Sequence, residues 1–150
     1  MIVRREVTLP AAPDEIWRVI SDPARLPAWW PGVARVEEVD ARAWTKVFSS
    51  PQSKTVRADY TLVESEPITR VVWRQEVEES PFERILESAV TELELEPAGD
   101  GATEVTLTQR LALRGFSRLG GMQIRMATRR VLQGALDGLG ELADGWAARR

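Results

Sequence analysis

The alternation of apolar and polar side chains predicts a series of short β-strands through the middle of this chain. The predicted strands are Ala34–Asp40, Arg42–Phe48, Thr55–Ser65, Ile68–Glu78, Glu83–Pro97 and Thr103–Leu113. Segments typical of turns separate them, among them Ser49-Ser50-Pro51 and the glycine-containing stretch from Pro97 to Gly101. Because these connections are too short to hold crossover helices, we expect the strands to form an antiparallel meander.

From Ser117 onward the pattern changes to a helical one. Apolar residues then recur at intervals of three and four, at Leu132, Ala135, Leu136, Leu139, Leu142, Ala143 and Trp146. The same segment contains Gly134, Gly138, Gly140 and Gly145, and each glycine costs a helix roughly 1 kcal/mol relative to alanine. We therefore expect this helix to depend on packing against the rest of the protein.

The first 33 residues predict a strand followed by two short helices. A β-type run from Ile2 to Leu9 ends before Pro13, which suits the first position of a helix. Ser21-Asp22-Pro23 combines a capping residue with a proline and predicts a second helix start. The pair Trp29-Trp30 and the turn Pro31-Gly32 then lead into the next strand.

This N-terminal segment resembles the start of the SRPBCC, or START-like, superfamily, and most closely its polyketide cyclase/dehydrase branch. Two segments carry the resemblance: Ala12–Trp17, which reads A-P-D-E-I-W with Ile16 in place of the family's valine, and Asp22–Val33, which fits the pattern D-P-x-x-x-P-x-W-x-P-G-V. The resemblance implies an α+β helix-grip fold over residues 1–150 as one domain. In that fold a curved antiparallel sheet wraps around a long C-terminal helix, and two short helices follow the first strand. Ligands of family members bind between sheet and helix.

Strand alternation selects the side chains that would face such a site. The candidate ligand-binding residues on the inner face of the sheet are Trp44, Tyr60, Trp73, Gln75, Glu87 and Gln109. Trp30 joins them, since adjacent tryptophans before a turn cannot both point the same way. We expect one of Trp29 and Trp30 to pack under the short helices and the other to line the mouth of the cavity. Trp17 and Trp146 lie on helical stripes and are expected in the core.

Alternation also places three charged residues on the inner face: Glu87, Arg5 and Lys46. Glu87 either supplies a polar contact in an apolar pocket or lies outside it, beyond the core or turned outward by a bulge. The second interpretation is favoured, because strand-end register is the least secure part of the pattern. Arg5 and Lys46 are expected to extend their charged ends into water from strand ends.

Composition excludes several kinds of chemistry. The chain has no histidine and no cysteine, so zinc sites built on those residues, thiolate nucleophiles and the usual catalytic triads are excluded. We expect no cofactor and no metal. A net charge of −3 gives no support for nucleic-acid binding. No apolar run approaches the length of a membrane span and no signal-peptide pattern opens the sequence, so a cytoplasmic location is expected.

Three functions remain, in order of preference. The first is binding or carrying a small hydrophobic ligand, such as a lipid, quinone, isoprenoid or polyketide-like molecule, between sheet and helix. The second is a polyketide cyclase/aromatase or dehydratase in which a carboxylate or tyrosine assists proton transfer. The third is a protein-interaction role, which is disfavoured by a charged, hydrated outer face predicted at Arg84, Glu92, Glu94, Glu104, Thr106 and Thr108. The sequence leaves the oligomeric state open.

Overall fold

The computed structural model describes residues 1–49, 52, 54–115 and 118–150. Its strands are β1 Ile2–Leu9, β2 Val33–Glu37, β3 Ala43–Ser49, β4 Thr55–Glu66, β5 Arg70–Glu76, β6 Leu86–Pro97 and β7 Thr103–Leu113. Its helices are α1 Pro13–Ile20, α2 Leu26–Trp29 and α3 Arg118–Ala148, with short 3₁₀ turns at Pro23–Arg25 and Pro81–Arg84. The predicted turn at Ser50-Pro51 and the predicted helix start at Ser117 lie outside the described residues.

The strands form one antiparallel sheet in the order β1-β7-β6-β5-β4-β3-β2. Helix α3 packs against β1, β7 and α2. Its predicted apolar stripe faces the core, where Leu132, Ala135, Leu136, Leu139 and Ala143 are buried, while Leu142 and Trp146 are partly buried against it. The α+β helix-grip prediction is therefore confirmed, including the two short helical segments after the first strand.

The short helices begin where the sequence predicts. Pro13 opens α1, and the Glu15 carboxylate accepts a hydrogen bond from the Ala12 amide at 3.1 Å, which satisfies an amide that the helix leaves free. Asp22 accepts a hydrogen bond from the Ala24 amide at 3.1 Å and starts the 3₁₀ turn before α2. Ile16, Val19 and Ile20 are buried, so α1 presents its apolar face to the core.

Strand β6 begins at Leu86, three residues later than predicted. The Ser80 hydroxyl accepts a hydrogen bond from the Phe82 amide at 3.2 Å, so Ser80-Pro81 caps a helical turn instead of leading into a strand. The pairing with β7 then shifts between Leu86 and Ser88, which marks a bulge at Glu87. As a result Ile85 and Glu87 are exposed. The inward orientation predicted for Ile85 is wrong, whereas Glu87 is turned outward by a bulge, in agreement with the favoured interpretation.

Two of the glycines in α3 allow Trp29 and Pro31 to approach the helix closely. A Cβ atom at Gly138 would lie 2.4 Å from the carbonyl oxygen of Trp29, and one at Gly134 would lie 2.7 Å from Pro31 Cγ. No side chain fits at Gly138 unless the backbone moves, because the atom it would meet is itself main chain. These glycines therefore weaken the helix intrinsically but bring the segment that follows α2 directly against it.

The outer face of the sheet is less hydrated than predicted. Glu92 is 8% exposed, and its carboxylate lies 3.0 Å from Arg110 Nε and 3.4 Å from Arg70 Nη2. Thr108 is fully buried and accepts a hydrogen bond from Arg4 Nε at 3.3 Å. Long arginine side chains thus cover the middle of this face, and their alkyl portions exclude water from it.

Candidate ligand-binding site

The register of three strands brings aromatic side chains together on the inner face of the sheet. Trp44 on β3 lies opposite Tyr60 on β4, and their rings stack at 6.1 Å between centroids with 7° between planes. The Trp73 ring on β5 lies 5.9 Å from the Trp44 ring in an edge-on arrangement. The Trp30 ring lies 5.9 Å from the Trp73 ring on another side. We call Trp30, Trp44, Tyr60 and Trp73 the aromatic cluster.

Trp30 reaches the cluster because the chain leaves α2 in an extended conformation at this residue. Trp29 and Trp30 are both buried, at 3% and 5% exposure, and their rings meet edge-on at 5.4 Å. Of the adjacent pair, Trp30 is the one in the cluster, while the Trp29 backbone lies against α3 at Gly138.

Lys46 is enclosed by the aromatic cluster. It is 1% exposed, and its Nζ atom lies 4.0 Å from the centroid of the Trp30 ring, 4.3 Å from that of Tyr60 and 5.3 Å from that of Trp73. No carboxylate of the described residues lies within 4.0 Å of this ammonium group. Burial lowers the pKa of Lys46 from 10.5 to about 7.

The prediction that Lys46 extends into water is therefore wrong, although its inward direction is correct. Lys46 lies in the middle of β3, flanked by Val36 on β2 and Ala58 on β4. Because strands cover β3 on both sides, the four-carbon stem points into the protein instead of running along an edge. Arg5 on the edge strand β1 behaves as predicted: it is exposed, and its Nε donates to Gln133 Oε1 on α3 at 3.1 Å.

The buried polar atoms around the cluster are mostly hydrogen-bond donors. Trp44 Nε1, Trp73 Nε1 and Gln75 Nε2 are buried and have no hydrogen-bond partner among the described residues. Burial also raises the pKa of Tyr60, so its hydroxyl stays protonated at neutral pH. The site is thus rich in groups that can donate a proton to a hydrogen bond.

A narrow cleft connects the cluster with the surface. Its volume is about 30 Å³, room for one or two water molecules, so side chains fill most of the space between sheet and helices. The cleft is lined by Ile20, Ser21, Pro23, Leu26, Ala41, Trp44, Leu62, Val71 and Trp73. The lining is mainly apolar, and two members of the aromatic cluster form its inner end.

The seven sequence-predicted residues separate into three groups. Trp30, Trp44, Tyr60 and Trp73 form the aromatic cluster, and Gln75 lies beside them, opposite Tyr60. Gln109 is half-buried farther along the sheet, where its Nε2 donates to Thr91 Oγ1 at 3.2 Å. Glu87 is exposed at the bulge in β6, outside the cluster. Sequence reasoning omitted Lys46 from the candidate residues, although the alternation of β3 placed it inward.

The helix-grip architecture and the aromatic inner face define the class of this protein, an α+β domain that holds its core between a curved sheet and a long C-terminal helix. The family model described as polyketide cyclase / dehydrase and lipid transport matches residues 1–144, and the chain belongs to this family. No curated protein matches the sequence.

Solved structures share the fold at low sequence identity. A protein from Deinococcus radiodurans is 22% identical, with a TM-score of 0.66 over 96% of this chain and 95% of that one. A START superfamily protein from Mycobacterium smegmatis is 10% identical, with a TM-score of 0.79 and coverage of 97% and 98%. The di-domain aromatase/cyclase BexL of the BE-7585A biosynthetic pathway is 18% identical, with a TM-score of 0.78 over 94% of this chain and 45% of BexL.

Within the part of the chain that the structure describes, no helix is both long and apolar enough to cross a membrane.

Proposed function

We propose that this chain is a binding or carrier domain for a small hydrophobic molecule, which it holds at the aromatic cluster, between the sheet and the helices. The observation that carries the proposal is the contact of Trp44 and Trp73 with the apolar cleft, which gives a ligand a route from solvent to the cluster. Aromatic walls with a few polar groups are typical of sites for small apolar ligands. The family description, which includes lipid transport, supports the same function.

The cleft is smaller than any ligand of this class, so binding requires side chains or short elements to move. The outer wall of the cleft is built from Ile20, Pro23 and Leu26, which belong to the two short helical segments and not to the sheet. Segments of this length have few internal hydrogen bonds and move at a lower free-energy cost than strands in the middle of a sheet. We expect the ligand to displace them outward while the strands stay in place.

A second candidate function is acid–base assistance to cyclisation or dehydration of a polyketide-like substrate. Lys46 favours it, because an amine with a pKa near neutrality can both accept and donate a proton. The carboxylate and tyrosine chemistry expected from the sequence has less support. Glu87 lies outside the cluster, and burial raises the pKa of Tyr60, which disfavours a phenolate base.

Narrowing the cleft tests the binding proposal. Ala41 is exposed and lines the cleft, so Ala41→Trp should obstruct entry without altering the core. The matched control is Ala127→Trp, at an exposed position of α3 that does not line the cleft. Isothermal titration with flat polycyclic aromatics and long-chain fatty acids should show binding to the wild type and the control, and at least tenfold weaker binding to Ala41→Trp. Equal affinities for all three proteins would contradict entry through this cleft, and no binding to the wild type would contradict the proposed function.

A further inference from the structure

Several buried hydrogen-bond donors around the aromatic cluster are unpaired in the part of the chain that the structure describes. The indole N–H groups of Trp44 and Trp73 and the amide nitrogen of Gln75 are buried without a partner among the described residues. Lys46, a residue that is 1% exposed, adds an ammonium or amine nitrogen. Unpaired buried donors destabilise a folded protein, so a site that retains several of them is complementary to a ligand that supplies acceptors.

Among the described residues, no carboxylate pairs with Lys46. Glu37 on β2, Asp59 on β4 and Glu76 on β5 lie on the opposite face of the sheet, and each has a partner there. Thr45, next to Lys46, donates to Asp59 at 2.6 Å; Glu37 pairs with Arg57; and Glu76 accepts from Arg74 at 3.0 Å. The titratable side chain that faces Lys46 is Tyr60, and its hydroxyl carries no charge at neutral pH.

The three rings around Lys46 do not replace the water that its ammonium group loses. Contacts between a cation and aromatic faces contribute far less than the hydration of an ammonium ion. An oxyanion placed next to Nζ would provide the missing counter-charge in a charge-assisted hydrogen bond. The flat rings at 4.0 to 5.3 Å would pack against the apolar remainder of such a ligand.

We propose that the ligand is a flat, largely aromatic molecule with one acidic oxygen group, a carboxylic acid or a phenol, and that Lys46 binds this group as an oxyanion with help from the N–H groups of Trp44, Trp73 and Gln75. This proposal rests on the proposed binding function and specifies which hydrophobic molecules the site selects. Lys46 determines specificity for the polar end of the ligand, and the aromatic cluster accommodates the rest.

A carboxylate and a phenol differ in the source of the proton that Lys46 gains when the ligand binds. Above neutral pH the free amine of Lys46 takes one proton when a carboxylate binds, and that proton comes from solvent. When an un-ionised phenol binds, its own proton moves to the amine, and solvent supplies none. No bond to carbon forms or breaks in either case. Titration in buffers of different ionisation enthalpy at about pH 8.5 therefore distinguishes the two kinds of ligand.

Three probes of one shape test the proposal: naphthoate, naphthol and methylnaphthalene. We expect wild-type protein to bind at least one of the two acids about tenfold more tightly than methylnaphthalene, a difference measured by isothermal titration. In Lys46→Met that preference should disappear while methylnaphthalene still binds, because the methionine side chain keeps the site apolar and of similar size. Lys54→Met, at the other lysine of the chain, which is exposed, should retain the preference.

The possible outcomes distinguish a failure of the Lys46 proposal from a failure of the proposed binding function. If the wild type binds methylnaphthalene as tightly as the acids, or if Lys46→Met keeps the preference for them, Lys46 does not recognise an oxyanion, although the binding function stands. If none of the three probes binds the wild type, the proposal for Lys46 fails, and the binding function fails as well only if the fatty acids and polycyclic aromatics used to test the cleft also do not bind. A thermal unfolding curve for each variant confirms that it is folded before its affinity is interpreted.

Discussion

Lys46 Nζ lies 4.0 Å from the centroid of the Trp30 ring, and both side chains are buried. The strand that carries the lysine and the short helix that precedes the tryptophan meet at this contact, so it ties the sheet to the segment that closes the cleft. Aromatic faces attract a cation, but they compensate only part of the free energy that the ammonium group loses on leaving water. Burial of Lys46 at this contact therefore lowers the free energy of unfolding of the protein.

The first prediction is that Lys46→Met stabilises the protein at neutral pH. The folded pKa of Lys46 is lowered from 10.5 to about 7, so between these values the unfolded chain binds the proton more strongly than the folded one. A shift of this size corresponds to roughly 5 kcal/mol of free energy of unfolding as an upper bound. The destabilisation is complete below pH 7 and disappears as pH rises towards 10.5.

Chemical denaturation of wild type and Lys46→Met across this pH range measures the effect. The variant should be several kcal/mol more stable at pH 7 and equally stable near pH 10.5. Lys54→Met is the matched control, since Lys54 is exposed, and it should change stability by less than about 0.5 kcal/mol at either pH. A gain that is the same at both ends of the range would mean that the methionine packs better and that proton binding plays no part.

The second prediction concerns the glycines of α3. Gly138→Ala should destabilise the protein by about 2 kcal/mol or more, because its Cβ would meet the Trp29 carbonyl oxygen at 2.4 Å and neither backbone can move independently. Gly145→Ala should stabilise it by up to about 1 kcal/mol, since that Cβ would make only an ordinary contact, 3.7 Å from the end of the Arg149 side chain. Both variants replace glycine by alanine in the same helix, so their melting temperatures can be compared directly. Similar shifts in the same direction would contradict the close backbone contact.

The third prediction concerns tryptophan emission. A ligand bound at the aromatic cluster should quench or shift the fluorescence, because Trp44 and Trp73 lie at the inner end of the cleft. Trp73→Phe should reduce this response and keep the fold, while Trp17→Phe, on a partly buried residue of α1 outside the cluster, should leave the response unchanged. If a ligand shown to bind by calorimetry gives the same response in Trp73→Phe as in wild type, it binds elsewhere.

The fourth prediction compares two glutamates of β6. Glu87→Gln should alter the free energy of unfolding by less than about 0.5 kcal/mol, because Glu87 is exposed at the bulge. Glu92→Gln should destabilise the protein by about 1–2 kcal/mol, because it removes the charge that lies 3.0 Å from Arg110 and 3.4 Å from Arg70 at a position that is 8% exposed. Denaturant titration of both variants provides the test. A larger effect at Glu87 than at Glu92 would reverse our assignment of the faces of this strand.

The regular parts of the sheet could be predicted from the sequence. Alternation has a period of two residues, so it assigns faces correctly wherever pairing is uninterrupted. Trp44 and Tyr60 lie opposite each other in an unbroken ladder, and both face inward as predicted. The motif around Pro13 and Asp22 also predicted the short helices, because capping chemistry is local.

The remaining features depend on contacts that local sequence does not encode. The bulge at Glu87 adds one residue to β6 and inverts the alternation there, and nothing in the sequence of the strand itself signals it. Lys46 is buried because β2 and β4 lie on either side of it, which is a property of strand order. The requirement for glycine at Gly138 likewise comes from the contact between α3 and the Trp29 backbone, which the sequence of the helix does not indicate.

The position of β1 has a consequence for how the protein is made. Among the described strands, β1 pairs with β7 alone, in a ladder that runs from Ile2 opposite Arg110 to Leu9 opposite Thr103, so its partner is synthesised about a hundred residues later. During translation the apolar residues Val3 and Leu9 have no strand to join, whereas β2 to β7 can add to the sheet in the order in which they emerge. Pairing at such sequence separation is slow, because a long loop must close before any contact forms. We expect pulse-labelled hydrogen exchange during refolding to show that the β1 amides become protected last among the amides of the sheet.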